Sequence, residues 1–521
     1  MIKLTIDNQP IEVPVDTTVL KAAEKLGISI PTMCFYNDSF SNHPSCMVCM
    51  VKDLHSGKEF ASCAMPVKEG MEIITNNQEI RAARREALEL LLSDHVGDCE
   101  APCRTACPAF MDIPRMNRLI AKGNFTEALK IVKQEIALPM VLGYVCQAPC
   151  EKACRRNDAD NSVSICELKK FTGLEDAFSE SPYMPDKAPD KEEKIAIIGS
   201  GPAGLAAAYE FLKEGYLVDI FEKSNKAGDA FRNRTTEEEL PRKILDKEIQ
   251  LIEQYGAKIH LNQNIDFDKL IKEIKPQHEA VLLSTGKTDE PFIHNNNLET
   301  NSKGIKVDHE TWETSVSGVY SCGSAVKEHK MAIRALANGK EAARAIHRKL
   351  RRIQIDNTKP FNSRFGRLQT EEIQEYLKES TNIDRLEPNS KELKAFTKEE
   401  AQKEAERCMR CDCRKPDTCK LRILAGEYNA DRRKYLFGER KLIQKYFQHE
   451  NVIYEPEKCI RCGLCIEIAE KSGENTGLAP IGRGFDVRVK TPFNKDLSEA
   501  LTHSAKEIVE ACPTGALAFK K

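Results

Sequence analysis

Residues 194–224 read KIAIIGSGPAGLAAAYEFLKEGYLVDIFEKS, and their reading decides the fold of the centre of the chain. An apolar run with the pattern of a buried strand leads into Gly199-x-Gly201-x-x-Gly204. A helical pattern follows, then a second strand that ends at Glu222. The glycines permit a tight turn and let the backbone approach a pyrophosphate, whose charge a helix N-terminus favours. Glu222 stands at the distance along the chain where an acid accepts a hydrogen bond from the adenosine ribose. A lone glycine fingerprint is weak evidence, but here strand, helix, second strand and acid come in order. The pattern therefore reads as a Rossmann-like dinucleotide site, and strand and helix go on alternating through residues 195–350.

Outward from this stretch, the 521 residues exceed what one core accommodates. The 78 basic and 80 acidic side chains leave a formal net charge of -2, which gives no electrostatic reason to expect nucleic acid as a partner. No apolar run approaches the roughly eighteen residues that span a bilayer. The opening MIKLTIDNQPIEVPVD alternates like a strand and lacks a signal-peptide core. A cytoplasmic protein without membrane insertion is expected. The 20 cysteines are the informative number, because grouped cysteines in a reducing compartment mean metal. They fall within 34–63, 99–166, 408–419 and 459–512, and only Cys322 stands outside, as a small apolar packing residue.

The first group is Cys34-x11-Cys46-x2-Cys49-x13-Cys63. Four thiolates in a strand-rich setting suit a [2Fe–2S] cluster. A structural zinc is the alternative, although zinc sites come more often as two close pairs. The second group holds two triplets spaced by four, Cys99, Cys103, Cys107 and Cys146, Cys150, Cys154, with Cys166 downstream and His95 upstream of Cys99. Each triplet is one ligand short of the four that a [4Fe–4S] cluster takes. The bland reading of His95 is a solvated residue at a helix C-terminus. The third group, Cys408-x2-Cys411-x-Cys413-x5-Cys419, has enough thiolates to close a site locally, as a [4Fe–4S] cluster or as zinc. The fourth is Cys459-x2-Cys462-x2-Cys465 with the distant Cys512. Two-cluster ferredoxins carry two C-x2-C-x2-C-x3-C runs, the fourth cysteine of each serving the other cluster. Here Ala469, Thr502, Ala505 and Ile508 occupy the four positions of one such cluster, while the four cysteines are the complete set for the other.

Resemblances sharpen these readings. IPTMCFYNDSFSNHPSCMVCMV, and later GLAPIGRGFDVRVKTPFNKDL, resemble the complex I large iron–sulfur subunit and related hydrogenase subunits. The region from CRTACPAF to VCQAPCEKAC resembles the iron–sulfur domain of the glutamate synthase small subunit, a module that dihydropyrimidine dehydrogenase also carries. That family binds two interleaved clusters, which implies Cys107, Cys146 and Cys150 on one, with Cys166 near the position of the family's downstream ligand. Cys99, Cys103 and Cys154 are implied on the other, with His95 upstream, as complex I subunits use a histidine in a similar H-x3-C setting. GxGPAGL, ELPRKILDKEIQLIEQYGAKI and GVYSCGSAVKEHKMAIRALANGKEAARAI resemble the FAD site of the same glutamate synthase family, which implies Gly199, Gly201, Gly204, Glu222 and Gly323 as FAD contacts. The chain departs from that family at Gly228-Asp229 and Gly323-Ser324. After LLSTG (282–286), barely thirty residues precede GVYSCG, too few for the family's second, NAD(P)H-binding domain.

The expectation is a multidomain α/β and α+β protein. A β-grasp ferredoxin-like [2Fe–2S] domain is expected over 1–80 and a helical double [4Fe–4S] domain over 81–180. A linker follows over 181–194, then a Rossmann-like FAD domain over 195–350. A helical segment with the third cysteine group covers 351–430, and a ferredoxin-like [4Fe–4S] domain covers 431–521. With one [2Fe–2S] cluster, three or four [4Fe–4S] clusters and FAD, it reads as an electron-transfer subunit of an oxidoreductase. Its expected partners are an NADH-oxidising flavoprotein, a hydrogenase, or a molybdenum or tungsten enzyme subunit, with ferredoxin as a further candidate. The alternative is a self-contained NAD(P)H-dependent enzyme like the glutamate synthase small subunit. No catalytic triad or paired catalytic carboxylates are visible.

Overall fold

The computed structural model describes residues 1–37, 44–287, 298–353, 360–388 and 393–520. Part of the stretch after LLSTG and part of the first resemblance segment lie outside the described residues. The chain folds into two compact units, each built from discontinuous segments. One comprises Met1–Ala101, Asp356–Lys378 and Arg410–Lys521, the other Pro102–Ile355 and Glu379–Met409. This division differs from the expected boundaries. The stretch 351–430 does not form a segment of its own but is shared between the two units.

In the first unit, Ile2–Ile6 (β1) and Gln9–Val13 (β2) pair as a hairpin through Asp7 and Asn8. Both turn residues have positive φ, 46° and 63°, as the tight two-residue turns that match strand twist require. Met50–Asp53 (β3), Glu59–Ala61 (β4) and Glu72–Ile74 (β5) complete a sheet of order β2-β1-β5-β3-β4, in which only β1 and β5 run parallel. The helix Val19–Lys25 buries Val19, Leu20, Ala22 and Ala23 in one core with Leu4, Ile6, Val51 and Ile73. Each fully buried valine, leucine or isoleucine contributes about 1.5–3 kcal/mol to that packing.

The helix Gln78–Ser93 starts at Asn77, whose side chain accepts from the Ile80 amide at 2.8 Å. Its buried Arg84 donates to the carbonyls of Met50 and Thr75 and to the Tyr428 hydroxyl, so a charge inside the unit is fully hydrogen-bonded. Ile80, Leu88 and Leu92 make the apolar face, and the helix stops at Asp94, directly before His95.

Toward the C-terminus, Val452–Tyr454 pairs antiparallel with Leu517–Phe519. Helices Leu464–Lys471 and Ala505–Ala511 pack over them through Ile468, Ile508 and Val509. The Glu474 carboxylate accepts from the amides of Thr502, His503 and Ser504 and from the hydroxyls of Thr502 and Ser504, at 2.6 to 3.0 Å. This anchors the turn that enters the helix before Cys512.

The second unit joins a helical layer to a parallel sheet. Two of its helices, Ile113–Ala121 and Phe125–Glu135, are separated because Gly123 turns the chain with φ 74°. Ile165–Ala177 and Lys398–Glu406 pack with them in a single core. The sheet comprises Lys194–Ile198 (β6), Leu217–Phe221 (β7), Ala257–His260 (β8), Ala280–Leu283 (β9) and Val319–Ser321 (β10), in the order β10-β9-β6-β7-β8 and parallel throughout. β6 and β9 are continuous apolar runs because helices cover such a sheet on both faces. Glu248 ties the two layers together, accepting from the amides of Met140 and Val141 at 2.7 and 2.8 Å. Among the described residues, no helix is long and apolar enough to cross a membrane.

Candidate cluster and nucleotide sites

The first cysteine group converges. Cys34, Cys46, Cys49 and Cys63 are all buried, and the sulfurs of Cys34 and Cys46 lie 3.4 Å apart. Cys63 is within hydrogen-bonding reach of both Cys34 and Cys49, and those contacts, followed by burial, raise its thiol far above the usual range. Four thiols this close cannot all ionise beside one another without a cation, which is the charge an iron centre supplies.

Cys459, Cys462, Cys465 and Cys512 line a single small cavity with Tyr454, Leu464 and Leu517. Positive φ at Arg461 (57°) and Gly463 (81°) curls the loop so that three cysteines face inward, and the Arg461 amide donates to the Cys459 sulfur at 3.3 Å. Burial pushes the Cys459 thiol up to about 11 and the Cys462 thiol up to about 12. The positions of the absent second ferredoxin cluster are filled instead. Ala469, Ala505 and Ile508 pack in the apolar core, while Thr502 binds Glu474.

In the second unit, Cys166 stands within hydrogen-bonding reach of both Cys146 and Cys150. It sits in the first turn of the helix Ile165–Ala177, where the Glu151 carboxylate holds its amide at 2.8 Å. Beside it the wholly buried Lys169 donates to the Leu142 carbonyl at 3.3 Å and lies 3.9 Å from the Cys166 sulfur. Burial alone lowers an ammonium, yet the thiolates of Cys166, Cys146, Cys150 and Cys107 hold Lys169 above its ordinary range. One ammonium thus feels Cys107, Cys146, Cys150 and Cys166 together, the set that the family resemblance implies.

The remaining cysteines have neighbours from distant segments. Cys154 lies within electrostatic reach of Cys408. Buried Arg407 fixes that approach, bonding to Glu404, Asp160 and the Ser162 carbonyl, while Arg156 donates to the Arg407 carbonyl at 2.6 Å. Cys103 packs on the same core, and its short helix Pro102–Ala106 lies against the helix Pro149–Lys152. In the first unit, Cys99 adjoins Cys413 and Cys419. His95 is 8% exposed, which removes the solvated reading; burial pushes its imidazole down to about 4, and its Nδ1 has no hydrogen-bond partner. Local spacing concealed these groupings, because every pairing here joins distant segments. Lys169 carried no signal either: in CELKKF nothing separates it from a surface lysine.

At the nucleotide loop, Gly199 has φ 104°, and a side chain there would meet the Ser284 carbonyl. A side chain at Gly204 would strike the Gly199 carbonyl. Gly201 begins the helix Pro202–Lys213. The Glu222 carboxylate accepts from the Ser200 amide at 3.0 Å, from its hydroxyl at 2.5 Å, and from the Ser224 amide at 3.0 Å. Ser200 in turn accepts from the Gly228 amide at 2.9 Å, so the acid braces the loop. Gly323 has φ 66° and its amide is held by Asn338 at 2.8 Å; a side chain there would press on Ala203 in the first turn of the helix. The five residues expected at the nucleotide thus frame one helix N-terminus.

Comparison with known proteins finds matches over residues 1–343. Residues 1–78 match the 2Fe-2S iron–sulfur cluster binding domain family, and residues 72–180 match dihydropyrimidine dehydrogenase domain II, 4Fe-4S cluster. Residues 179–343 match the pyridine nucleotide-disulphide oxidoreductase family. The NADP(+)-dependent formate dehydrogenase subunit beta of Moorella thermoacetica is 36% identical over 207 residues, 36% of this chain and 29% of that protein. The NADPH-Fe(3+) oxidoreductase subunit beta of Geobacter sulfurreducens is 38% identical over 189 residues, 36% of this chain and 28% of that protein. The glutamate synthase [NADPH] small chain of Bacillus subtilis is 35% identical over 185 residues, 35% of this chain and 37% of that protein. The match thus spans under a third of the length of the first two relatives. Over the matched segments the chain is similar to parts of oxidoreductase subunits. It is a composite, with [2Fe–2S] and [4Fe–4S] cluster domains joined to a flavin-dependent pyridine nucleotide-disulphide oxidoreductase domain.

Proposed function

We infer that the chain is a cytoplasmic electron-transfer subunit, relaying electrons between a partner's NADH or ferredoxin site and a partner catalytic subunit. The observation that carries this is the convergence of buried thiols into separate sets, each of a size that suits an iron–sulfur cluster. Cys34, Cys46, Cys49 and Cys63 suit the [2Fe–2S] cluster. Cys459, Cys462, Cys465 and Cys512 suit one [4Fe–4S] cluster, and Cys107, Cys146, Cys150 and Cys166 suit a second. Cys103, Cys154 and Cys408 begin a third. Bound clusters pass single electrons, and a bound flavin exchanges electron pairs for singles. The protein's own residues supply the thiolates, exclude water and, through Gly199, Gly201, Gly204, Glu222 and Gly323, frame the FAD loop.

The expected absence of a second dinucleotide domain directs the reading to a relay. Hydride transfer requires the nicotinamide to be held against the flavin, and such positioning is worth roughly 7–11 kcal/mol of barrier. The source or sink of electrons is then a partner: an NADH-oxidising flavoprotein, a hydrogenase, or a molybdenum or tungsten enzyme. The beta-subunit names of two relatives accord with a multisubunit assembly. Stopped-flow absorbance on the purified chain tests this. Dithionite or reduced ferredoxin should bleach the clusters, while NADH and NADPH should act slowly and without saturation. Saturable reduction by NAD(P)H would instead establish the self-contained enzyme.

A further inference from the structure

Cys99 and Cys413 flank, on either side, the sequence that forms the second unit, yet the Cys413 amide donates to the Cys99 carbonyl at 3.2 Å within the first unit. Cys99 is also clasped by Ser363, whose carbonyl takes the Cys99 amide at 3.1 Å and whose amide points at the Cys99 sulfur at 3.4 Å. Cys419 is buried beside both Cys413 and Cys99. The surroundings are built around these sulfurs. Gly515 leaves room for Cys413, since a Cβ there would lie 2.5 Å from its sulfur. Buried Lys458, paired to Glu455 at 2.6 Å, brings its charge to Cys413, and Arg422, paired to Glu100 at 2.6 Å, brings its charge to Cys99 and Cys413. His95 is buried against the same Lys458 and leaves its Nδ1 unsatisfied. An orphaned buried ring nitrogen is costly unless something takes its lone pair or proton.

We propose that His95, Cys99, Cys413 and Cys419 are the four ligands of one [4Fe–4S] centre, split in sequence by the whole second unit. This rests on the electron-transfer reading above and specifies one of its centres. It replaces the local set Cys408–Cys419, whose first member lies within electrostatic reach of Cys154. A neutral imidazole in place of a thiolate makes the centre less negative, as it does in Rieske clusters, and gives it a raised potential.

Paired alanine variants of the full chain, analysed for iron and by EPR after dithionite reduction, decide the assignment. Cys99→Ala with Cys413→Ala should remove one centre, about four irons, while Cys408→Ala with Cys413→Ala should remove two, about eight. Persistence of the other cluster signals shows that each variant folds. The reverse pattern, eight irons lost in the first pair and four in the second, overturns the assignment. His95→Cys should keep the centre and lower its midpoint potential; an unchanged midpoint overturns the place of His95. Wild-type protein with iron for the [2Fe–2S] site alone overturns the multicluster reading and this one together, whereas the reversed pattern with wild-type iron intact overturns only this one.

Discussion

The Lys169 ammonium lies 3.9 Å from the Cys166 sulfur in a wholly buried setting, where sulfurs lead the groups that hold its charge and Glu248 is also within electrostatic reach. Its leading electrostatic partners are Cys166, Cys146, Cys150 and Cys107. A buried cation is costly unless it is paired. The thiolates of a bound cluster are therefore the anion that this lysine is placed to meet, and the lysine in turn biases the cluster toward its reduced, more negative form. Lys169→Met should leave the iron content unchanged and lower the midpoint of one [4Fe–4S] signal. A unit charge at 4 Å is worth about 4 kcal/mol at an effective dielectric of 20, so the expected shift is on the order of 100 mV. An EPR-monitored redox titration reads it.

Metal content is the coarsest check. One [2Fe–2S] and three or four [4Fe–4S] clusters correspond to about 14 to 18 irons per chain with matching acid-labile sulfide. Anaerobic preparations should reach that range. Fewer than about ten irons contradicts it, and one zinc beside about 14 irons means that one of the four-iron sites holds zinc.

At the nucleotide loop, Gly204→Ala forces a methyl group against the Gly199 carbonyl, so the loop must open. Flavin extraction and chromatography after reconstitution should show FAD lost from Gly204→Ala and weakened in Glu222→Gln. The Glu222 change removes the charged acceptor that Ser200 and Ser224 share. Both variants should retain wild-type iron, because their lesions lie away from the cysteine sets.

Glu474 carries a pH dependence. Burial opposes its charge, but the hydroxyl of Thr502 and the amides of Thr502, His503 and Ser504 prevail, and hold the carboxyl well below its usual range. A carboxylate with a depressed native pKa contributes stability that is fully present above its unfolded value, near 4.3, and is lost as pH falls toward the native value. Glu474→Gln should therefore destabilise the C-terminal fold by about 1–3 kcal/mol at pH 7. The penalty should shrink as the medium is acidified below about pH 4.5. Denaturant unfolding followed by loss of cluster absorbance, at several pH values, measures it.

Much of this was legible in the residues. The fingerprint from Gly199 to Glu222 specified a parallel sheet because glycine placement and apolar runs are local properties. The C-terminal cysteines were legible because their spacing is a complete local pattern. The third cysteine group is open to two readings for the same reason: four thiols within twelve residues invite local closure. Yet Arg410, at φ 48°, turns the chain between Cys408 and Cys413, and the structure gives them different neighbours. Buried cations such as Lys169 and Lys458 left no trace in composition, since a lysine reveals its role only by what surrounds it.

The interrupted path between Cys99 and Cys413 also sets a timetable. On the ribosome the four thiolates of the N-terminal group are complete once Cys63 emerges, whereas the set containing His95 waits until Cys419 has been made. Domains generally fold as units during synthesis, in N- to C-terminal order. Cys99 therefore leaves the exit tunnel long before its partners and must be kept reduced and unclaimed while the second unit is made. Iron delivered too early would find a half-built cage, so maturation of this centre belongs to the finished polypeptide and not to the nascent one.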